Sequence, residues 1–258
     1  MVKETKVTIV TVCRNSADTI ERCMKSVRSQ TYTNIEHVIV DGASSDGTLD
    51  VVHKLATPDV VTVSEPDHGI YDAMNKGIRL ATGDIVCFLN SDDVYSDRDV
   101  ITDVVHQMAS KNLDALLADI CFVSKSGRVV RNYSAKDFIP SKLRVGWMPP
   151  HPGMFVTRKK IFEAGLFEPS YKIAGDYEFC IKLFNLPELS WSYYSRRAVD
   201  MALGGVSTSG LKSQYVLNCE VYRACRQHGI DINIPTLLLK YPKKIFEFFI
   251  IGRSKNEY

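Results

Sequence analysis

No stretch of this 258-residue chain reaches the roughly 18 consecutive apolar residues that a membrane-spanning helix needs, so a spanning protein is not expected. Its start, MVKETKVTIV, enters a strand-like pattern and lacks the apolar region of a secretory signal. There is no excess of charge of either sign. The 32 basic residues are set against 30 acidic ones and spread along the chain, for a net charge of +2, which argues against a nucleic-acid partner. Cys-x-x-Cys is absent. The seven cysteines are odd in number, and Cys87, Cys121 and Cys180 lie in apolar runs, which suits reduced buried thiols in a cytoplasmic compartment better than a disulfide or zinc framework. Gly-x-Gly-x-x-Gly and Gly-x-x-x-x-Gly-Lys-Ser/Thr are both absent, so dinucleotide-fold and P-loop chemistry lose ground. No internal repeat or low-complexity segment is present.

What is present is 45% hydrophobic content in a chain long enough to bury a full core, hence one large domain or a domain with an appendage. Residues 6–13, 35–41, 60–64 and 85–89 are apolar, β-branched runs, and the last, Ile85 to Leu89, is continuous as in a strand buried on both faces. Between them lie helical patterns over about 17–30, with Ser16 as N-cap, from Thr48 onward, and over 70–81, where Ile70, Ala73, Met74, Gly77, Ile78 and Ala81 share one face. The first hundred residues therefore alternate strand and helix as in a doubly wound α/β sheet. Further on come a helix (99–111), strands at 115–123 and 128–133, a stiff loop WMPPHPG at 147–153, a strand at 154–157, and helices from 158 and over 172–184.

Acidic residues mark the ends of these elements: Asp41, Asp67, the adjacent pair Asp92 and Asp93, and Asp176. Singly, each fits an ordinary cap or turn former. Together, Asp41 and Asp92 follow buried strands of one sheet and converge on its carboxyl edge, where open α/β sheets bind ligands. Two carboxylates side by side raise each other's pKa unless a cation neutralises them. A hard divalent cation, Mn²⁺ or Mg²⁺, fits, since it is commonly shared between one or two carboxylates and nucleotide phosphates. The expected ligand is a nucleoside diphosphate.

The strings VTVCRN, VDGASSDGT, EPDHGIYDAMNKG, GDIVCFLNSDD and AGDYEFCIKL, in this order and spacing, resemble the family 2 glycosyltransferases of the GT-A fold. With FLNSDD and GGVST, the closer resemblance is to bacterial enzymes that build colanic acid, capsule or O-antigen repeats. It covers roughly residues 5 to 210. It implies an α/β fold, a GT-A type nucleotide-binding sheet, mostly parallel with helices on both faces, plus a C-terminal helical tail. The domain spans 1–210, with a nucleotide-sugar half to about 97 and an acceptor half after it, and 211–258 forms the helical extension.

The resemblance also assigns residues. Thr11, Cys13, Arg14 and Asn15 line the base and ribose, and Asp41 reads the base. In LNSDD the family's first aspartate is replaced by Asn90, beside Ser91. Asp92 falls on the metal position, and Asp93 is a weaker ligand or a supporting group. Asp67, Asn75, Lys76 and His151 are further donor contacts, against the plainer readings of His151 as structural and Lys76 as a solvated partner of Asp72. Asp176 matches the catalytic base, although an aspartate at a helix start is equally an N-cap. The implied activity is metal-dependent, inverting transfer of a sugar from a nucleoside diphosphate sugar to a growing or lipid-linked glycan; the alternatives are a sugar nucleotidyltransferase and a non-catalytic carbohydrate-binding module. Residues 237–255 mix aliphatic and aromatic side chains with five basic ones, which suits peripheral contact with the membrane face, packing on the domain, or a homodimer contact.

Overall fold

The computed structural model describes residues 5–124, 126–203 and 211–232. Four strands, β1 (Val7–Cys13), β2 (Ile35–Asp41), β3 (Val60–Ser64) and β4 (Ile85–Phe88), run parallel in the order β3-β2-β1-β4. Every residue of β1, β2 and β4 is buried, because helices cover both faces. On one face Val10, Val12, Val38 and Val40 meet α3 (Ile70–Leu80) through Ala73, Met74 and Ile78. Gly77 permits this approach: a Cβ there would stand 2.3 Å from a Val10 methyl. On the other face Ile9 and Ile39 meet α1 (Ile20–Arg28), and Val52 of α2 (Thr48–Leu55) joins Ile39.

α1 begins later than the sequence pattern suggests. The amides of Ser16 and Ala17 are taken by Thr48 Oγ1 (2.8 Å) and Asp46 Oδ2 (3.1 Å), so residues 16–19 form a turn tied to the neighbouring loop, and Thr19 is the cap position.

After β4 the chain forms β5 (Val94–Tyr95), α4 (Val100–Ser110), β6 (Ala115–Val123), β7 (Val129–Tyr133), β8 (Met154–Thr157), α5 (Arg158–Ala164), α6 (Gly175–Phe184), β9 (Trp191–Ala202) and α7 (Leu211–Gln227). Strand order continues β4-β8-β6-β9-β5, with β7 on the free part of the β6 edge. Here the sheet is mixed: β8 runs antiparallel to β4 and β6, β9 parallel to β6, and β5 antiparallel to β9. β9 has no clean alternation in its sequence, WSYYSRRAVDMA, because its register with β6 shifts around Asp119. α7 packs on α6, and its Val221, Ala224 and Cys225 belong to the same buried cluster as Phe179 and Leu183. No helix of the described residues is long and apolar enough to cross a membrane. The segments GGVST (204–208) and 237–255 lie outside the described residues.

Candidate active site

Pairing of Cys13 with Asp41 and of Asp41 with Ser64 puts the ends of β1, β2 and β3 level. Asp41 is fully buried and accepts from Ser64 Oγ (2.7 Å), Ser44 N (3.0 Å), Ser44 Oγ and Cys13 Sγ (3.7 Å). Burial works to raise its pKa, but these donors outweigh it and hold the carboxyl below its usual range. Asp41 thereby shapes the 42–48 loop. Asn15, at φ 52°, closes the same loop from β1: its amide N–H donates to Ser44 Oγ (2.8 Å) and its side-chain oxygen accepts from Ser45 N (2.9 Å). Gly42 lies under Asp67, where a Cβ would come within 2.3 Å of Asp67 Oδ2 and 3.5 Å of Arg14 Cβ. Arg14, Asn15, Asp41 and Asp67 are thus neighbours beyond the ends of β1 and β2, with Arg14 and Asn15 exposed.

The LNSDD turn follows β4. Ser91 Oγ donates to Ser16 Oγ (3.0 Å), joining this turn to the first-strand loop. Asp93 points inward, with Asn90 Nδ2 (3.0 Å) on one oxygen and Ala202 N (3.0 Å) on the other. Burial, and then the charge of Asp92, push its carboxyl up to about 7. Asp92 is the more open of the pair, and Asp93 is 1% exposed. The turn therefore offers one accessible carboxylate and one that supports it from below.

His151 opens a short 3-10 turn before β8 and is buried between rings, 4.9 Å from Phe88 and 5.7 Å from Phe167 between centroids. Burial lowers its pKa to about 4, so the imidazole is neutral at physiological pH. The register of β8 with β4 carries this turn toward the Ser91 end of β4. Asp176 stands in the first turn of α6, half-buried, accepting from Tyr177 N at 2.8 Å. Burial pushes its carboxyl up to about 6 against the pull of the Tyr177 amide, its own amide and Tyr71, and the charge of Glu220 adds to the rise.

Three of the sequence-derived candidates do other work. Thr11 is fully buried, with Oγ1 2.9 Å from His37 Nε2, on the α1 side of the sheet and away from the cleft. Asn75 is buried and holds both main-chain groups of Phe167, through Nδ2 to the carbonyl (2.8 Å) and Oδ1 to the amide (2.9 Å). Lys76 meets Glu65 (2.9 Å), Asp72 (3.6 Å) and the Pro66 carbonyl (2.8 Å), so its charge is already balanced by the 65–72 loop. Cys13 contributes a donor to Asp41. Ser44, Ser64, Tyr71 and Glu220 carry no sequence signal of their own. Each acts on a residue brought to it by the fold.

The sequence profile described as glycosyl transferase family 2 matches residues 8–167, a span that ends before Asp176. An uncharacterised glycosyltransferase of Mycobacterium tuberculosis is 32% identical over 181 residues, 68% of this chain and 68% of that one. A PGL/p-HBAD biosynthesis glycosyltransferase of Mycobacterium bovis is 29% identical over 183 residues, 69% of this chain and 70% of its own. Among solved structures, S. aureus TarS 1–349 in complex with UDP superposes with a TM-score of 0.66 at 20% identity, covering 89% of this chain and 67% of TarS 1–349. The mannosyltransferase PcManGT from Pyrobaculum calidifontis, in complex with GDP-Man and Mn²⁺, gives 0.62 at 19% identity, covering 98% and 83%.

Proposed function

The chain belongs to glycosyltransferase family 2 and has the GT-A fold, and from that premise we propose that it moves one sugar from a nucleoside diphosphate sugar to a hydroxyl of a growing, lipid-linked glycan, with inversion at the anomeric carbon. The observation that carries this is the placement of Asp41 at the end of β2 and of Asp92 in the turn after β4 at the same carboxyl edge of the parallel sheet, with a half-buried carboxyl, Asp176, in the first turn of α6. The solved neighbours that bind UDP, UDP-GlcNAc or GDP-Man support the donor class.

The acidic turn fits a magnesium or manganese ion. It offers oxygen donors, and its adjacent carboxylates gain from a cation, which suits an ion completed by water and phosphate oxygens. Asp92 would hold it, with Asp93 and Asn90 bracing the turn. Such an ion, when bound, offsets the charge that develops on the departing diphosphate. Arg14, Asn15 and Asp67 border the nucleotide, and the neutral His151 faces the sugar or phosphate as an uncharged donor.

Asp176 takes the proton of the acceptor hydroxyl as it attacks in line. The Tyr133 phenol of β7 is pushed up by burial and then by the charge of Asp176, which supports β7 as the acceptor side. There Tyr133 and Trp147, packed edge to face with centroids 6.3 Å apart, line a cavity of about 550 Å³.

The test is Asp92→Ala. Calorimetry with UDP-, GDP- and dTDP-sugars should show manganese-dependent binding of one donor to the parental chain and its loss in the variant, with the thermal transition unchanged. Equal donor affinity in both would remove Asp92 from the metal site.

A further inference from the structure

Residues 172–174 lead into α6, and their three successive amides all donate to one carboxylate. Lys172 N reaches Glu220 Oε1 at 2.8 Å, while Ile173 N and Ala174 N reach Oε2 at 2.9 Å each. Glu220 is 9% exposed and comes from α7, more than forty residues later in the chain. Ala174 is the N-cap of α6 and the other two amides precede it, so the carboxylate sits just ahead of the helix start, where an anion is favoured by these donors and by the helix dipole. Hydrogen bonds to a charged acceptor are also among the stronger ones.

The same segment is gripped from the opposite side. Tyr71 of α3 donates its hydroxyl to the Ile173 carbonyl at 2.6 Å, and its ring lies so close to Gly175 that a Cβ there would stand 2.7 Å from ring carbons. Asp176 follows directly. α3 belongs to the donor half and α7 to the C-terminal extension, so both clamp the turn that presents one carboxylate.

We propose that Glu220 is a positioning residue for sugar transfer: by binding the 172–174 amides it sets the direction in which Asp176 meets the acceptor hydroxyl. The inference rests on Asp176 being the general base. Glu220 acts through the backbone and touches no substrate. The groups around Asp176 are Tyr71 from α3, Tyr133 from β7, the Asp176 and Tyr177 amides and Cys180 from α6, and Glu220 from α7. Glu178, on the same helix, turns instead to Lys182 (3.0 Å) and His228 (2.8 Å). After burial, the charge of Glu220 works against ionisation of Asp176, so removing it makes Asp176 easier to ionise.

Two variants separate aim from charge. Glu220→Gln removes the charge, whereas Glu220→Asp keeps it on a side chain one methylene shorter. In the full-length chain with carbon-13-labelled aspartate carboxyls, the Asp176 resonance, identified by its loss in Asp176→Asn, should titrate near 6 in the parent and in Glu220→Asp, and at lower pH in Glu220→Gln. Turnover of whichever UDP-, GDP- or dTDP-sugar the parent uses should fall at least about tenfold in both variants, as misplacing a catalytic group does, with donor affinity unchanged. A folded Glu220→Gln chain with an unmoved Asp176 titration and turnover within about twofold of the parent overturns the proposal. If that variant does not fold, parental turnover in Glu220→Asp overturns it equally. Should Asp176→Asn itself keep parental turnover, the base assignment fails and takes this inference with it; an inactive Asp176→Asn beside a fully active Glu220→Gln sinks the role of Glu220 alone.

Discussion

Replacing Asn75 by alanine weighs the donor contact that the family resemblance assigns to it against the internal strap that the structure shows. Its amide closes a reciprocal pair of hydrogen bonds, 2.8 and 2.9 Å, with the carbonyl and amide of Phe167, and the side chain is 3% exposed. Truncation orphans one buried acceptor and one buried donor, each worth about 1–3 kcal/mol when left unpaired. Partial relaxation of the Phe167 segment lowers the sum, so the expected loss is about 2–4 kcal/mol by urea denaturation, or roughly 5–15 °C in Tm for a chain of this size. Asn75→Asp should do no better. It retains the acceptor for the Phe167 amide but sets a carboxyl oxygen against the carbonyl, so its deficit should grow as pH rises and the introduced carboxyl ionises.

The consequence reaches the site indirectly. The Phe167 ring lies 5.5 Å from Phe88, 5.7 Å from His151 and 5.7 Å from Tyr71, so freeing Phe167 loosens the aromatic wall that seats His151. At a temperature where the variant remains folded, donor affinity should stay within about threefold of the parent, less than 1 kcal/mol. A Tm within about 2 °C of the parent combined with a donor-affinity loss above about tenfold would refute the reasoning and return Asn75 to the ligand.

Asp176→Asn should lower turnover on the order of 10² to 10⁴ with donor affinity retained, and parental activity should decline on the acid side near pH 6, since the base is protonated below its pKa; near-parental transfer by the variant would reduce Asp176 to a helix cap. Gly42→Ala puts a methyl 2.3 Å from Asp67 Oδ2 without demanding a left-handed backbone, so calorimetry should show a weakened donor while stability changes by less than about 1 kcal/mol; unchanged affinity would take Asp67 out of the donor site. Full-length chain should float with anionic liposomes at low salt, and deleting residues 241–258 should abolish flotation; a chain that stays in the soluble fraction counts against membrane docking.

The parallel half of the sheet was legible because continuous apolar runs such as Ile85 to Leu89 leave few alternatives to buried strands, and β1 to β4 lie where that pattern puts them. β9 was not legible. Its twelve residues include Arg196, Arg197 and Asp200, and the shifting register with β6 erases the period of two that marks a strand. Polar candidates divide on the same ground. Arg14 and Asn15 stay exposed after β1 and Asp67 lies beside Gly42, whereas Thr11 and Asn75, of similar polarity and equally close to the motifs, turn inward to His37 and Phe167. Nothing in the local sequence distinguishes a polar group that waits for a ligand from one whose partner lies 92 residues away, as Phe167 does from Asn75. Glu220 is the extreme case: an unremarked glutamate in a helix, whose three amide partners only the packing of α7 on α6 supplies.

The carboxyls at these element ends also show how one fold gives one kind of side chain different settings. Asp41, at the end of β2, is surrounded by donors and stays ionised below the ordinary range, which suits a fixed acceptor that orders the nucleotide loop. Asp93 is buried beside Asp92 and lifted to about 7, so a divalent cation arriving at that turn finds carboxylates whose ionisation it promotes, and its binding should strengthen with pH across that region. Asp176, lifted only to about 6, is largely ionised at neutral pH yet basic enough to accept a proton, the setting in which a carboxylate serves best as a general base. Each setting follows from the element that delivers the side chain. A strand end ringed by serines lowers a pKa, whereas a turn folded under β9 and a helix start clamped by Glu220 and Tyr71 raise theirs. The differing settings of these carboxyls are therefore fixed by topology, through the neighbours that each element end acquires.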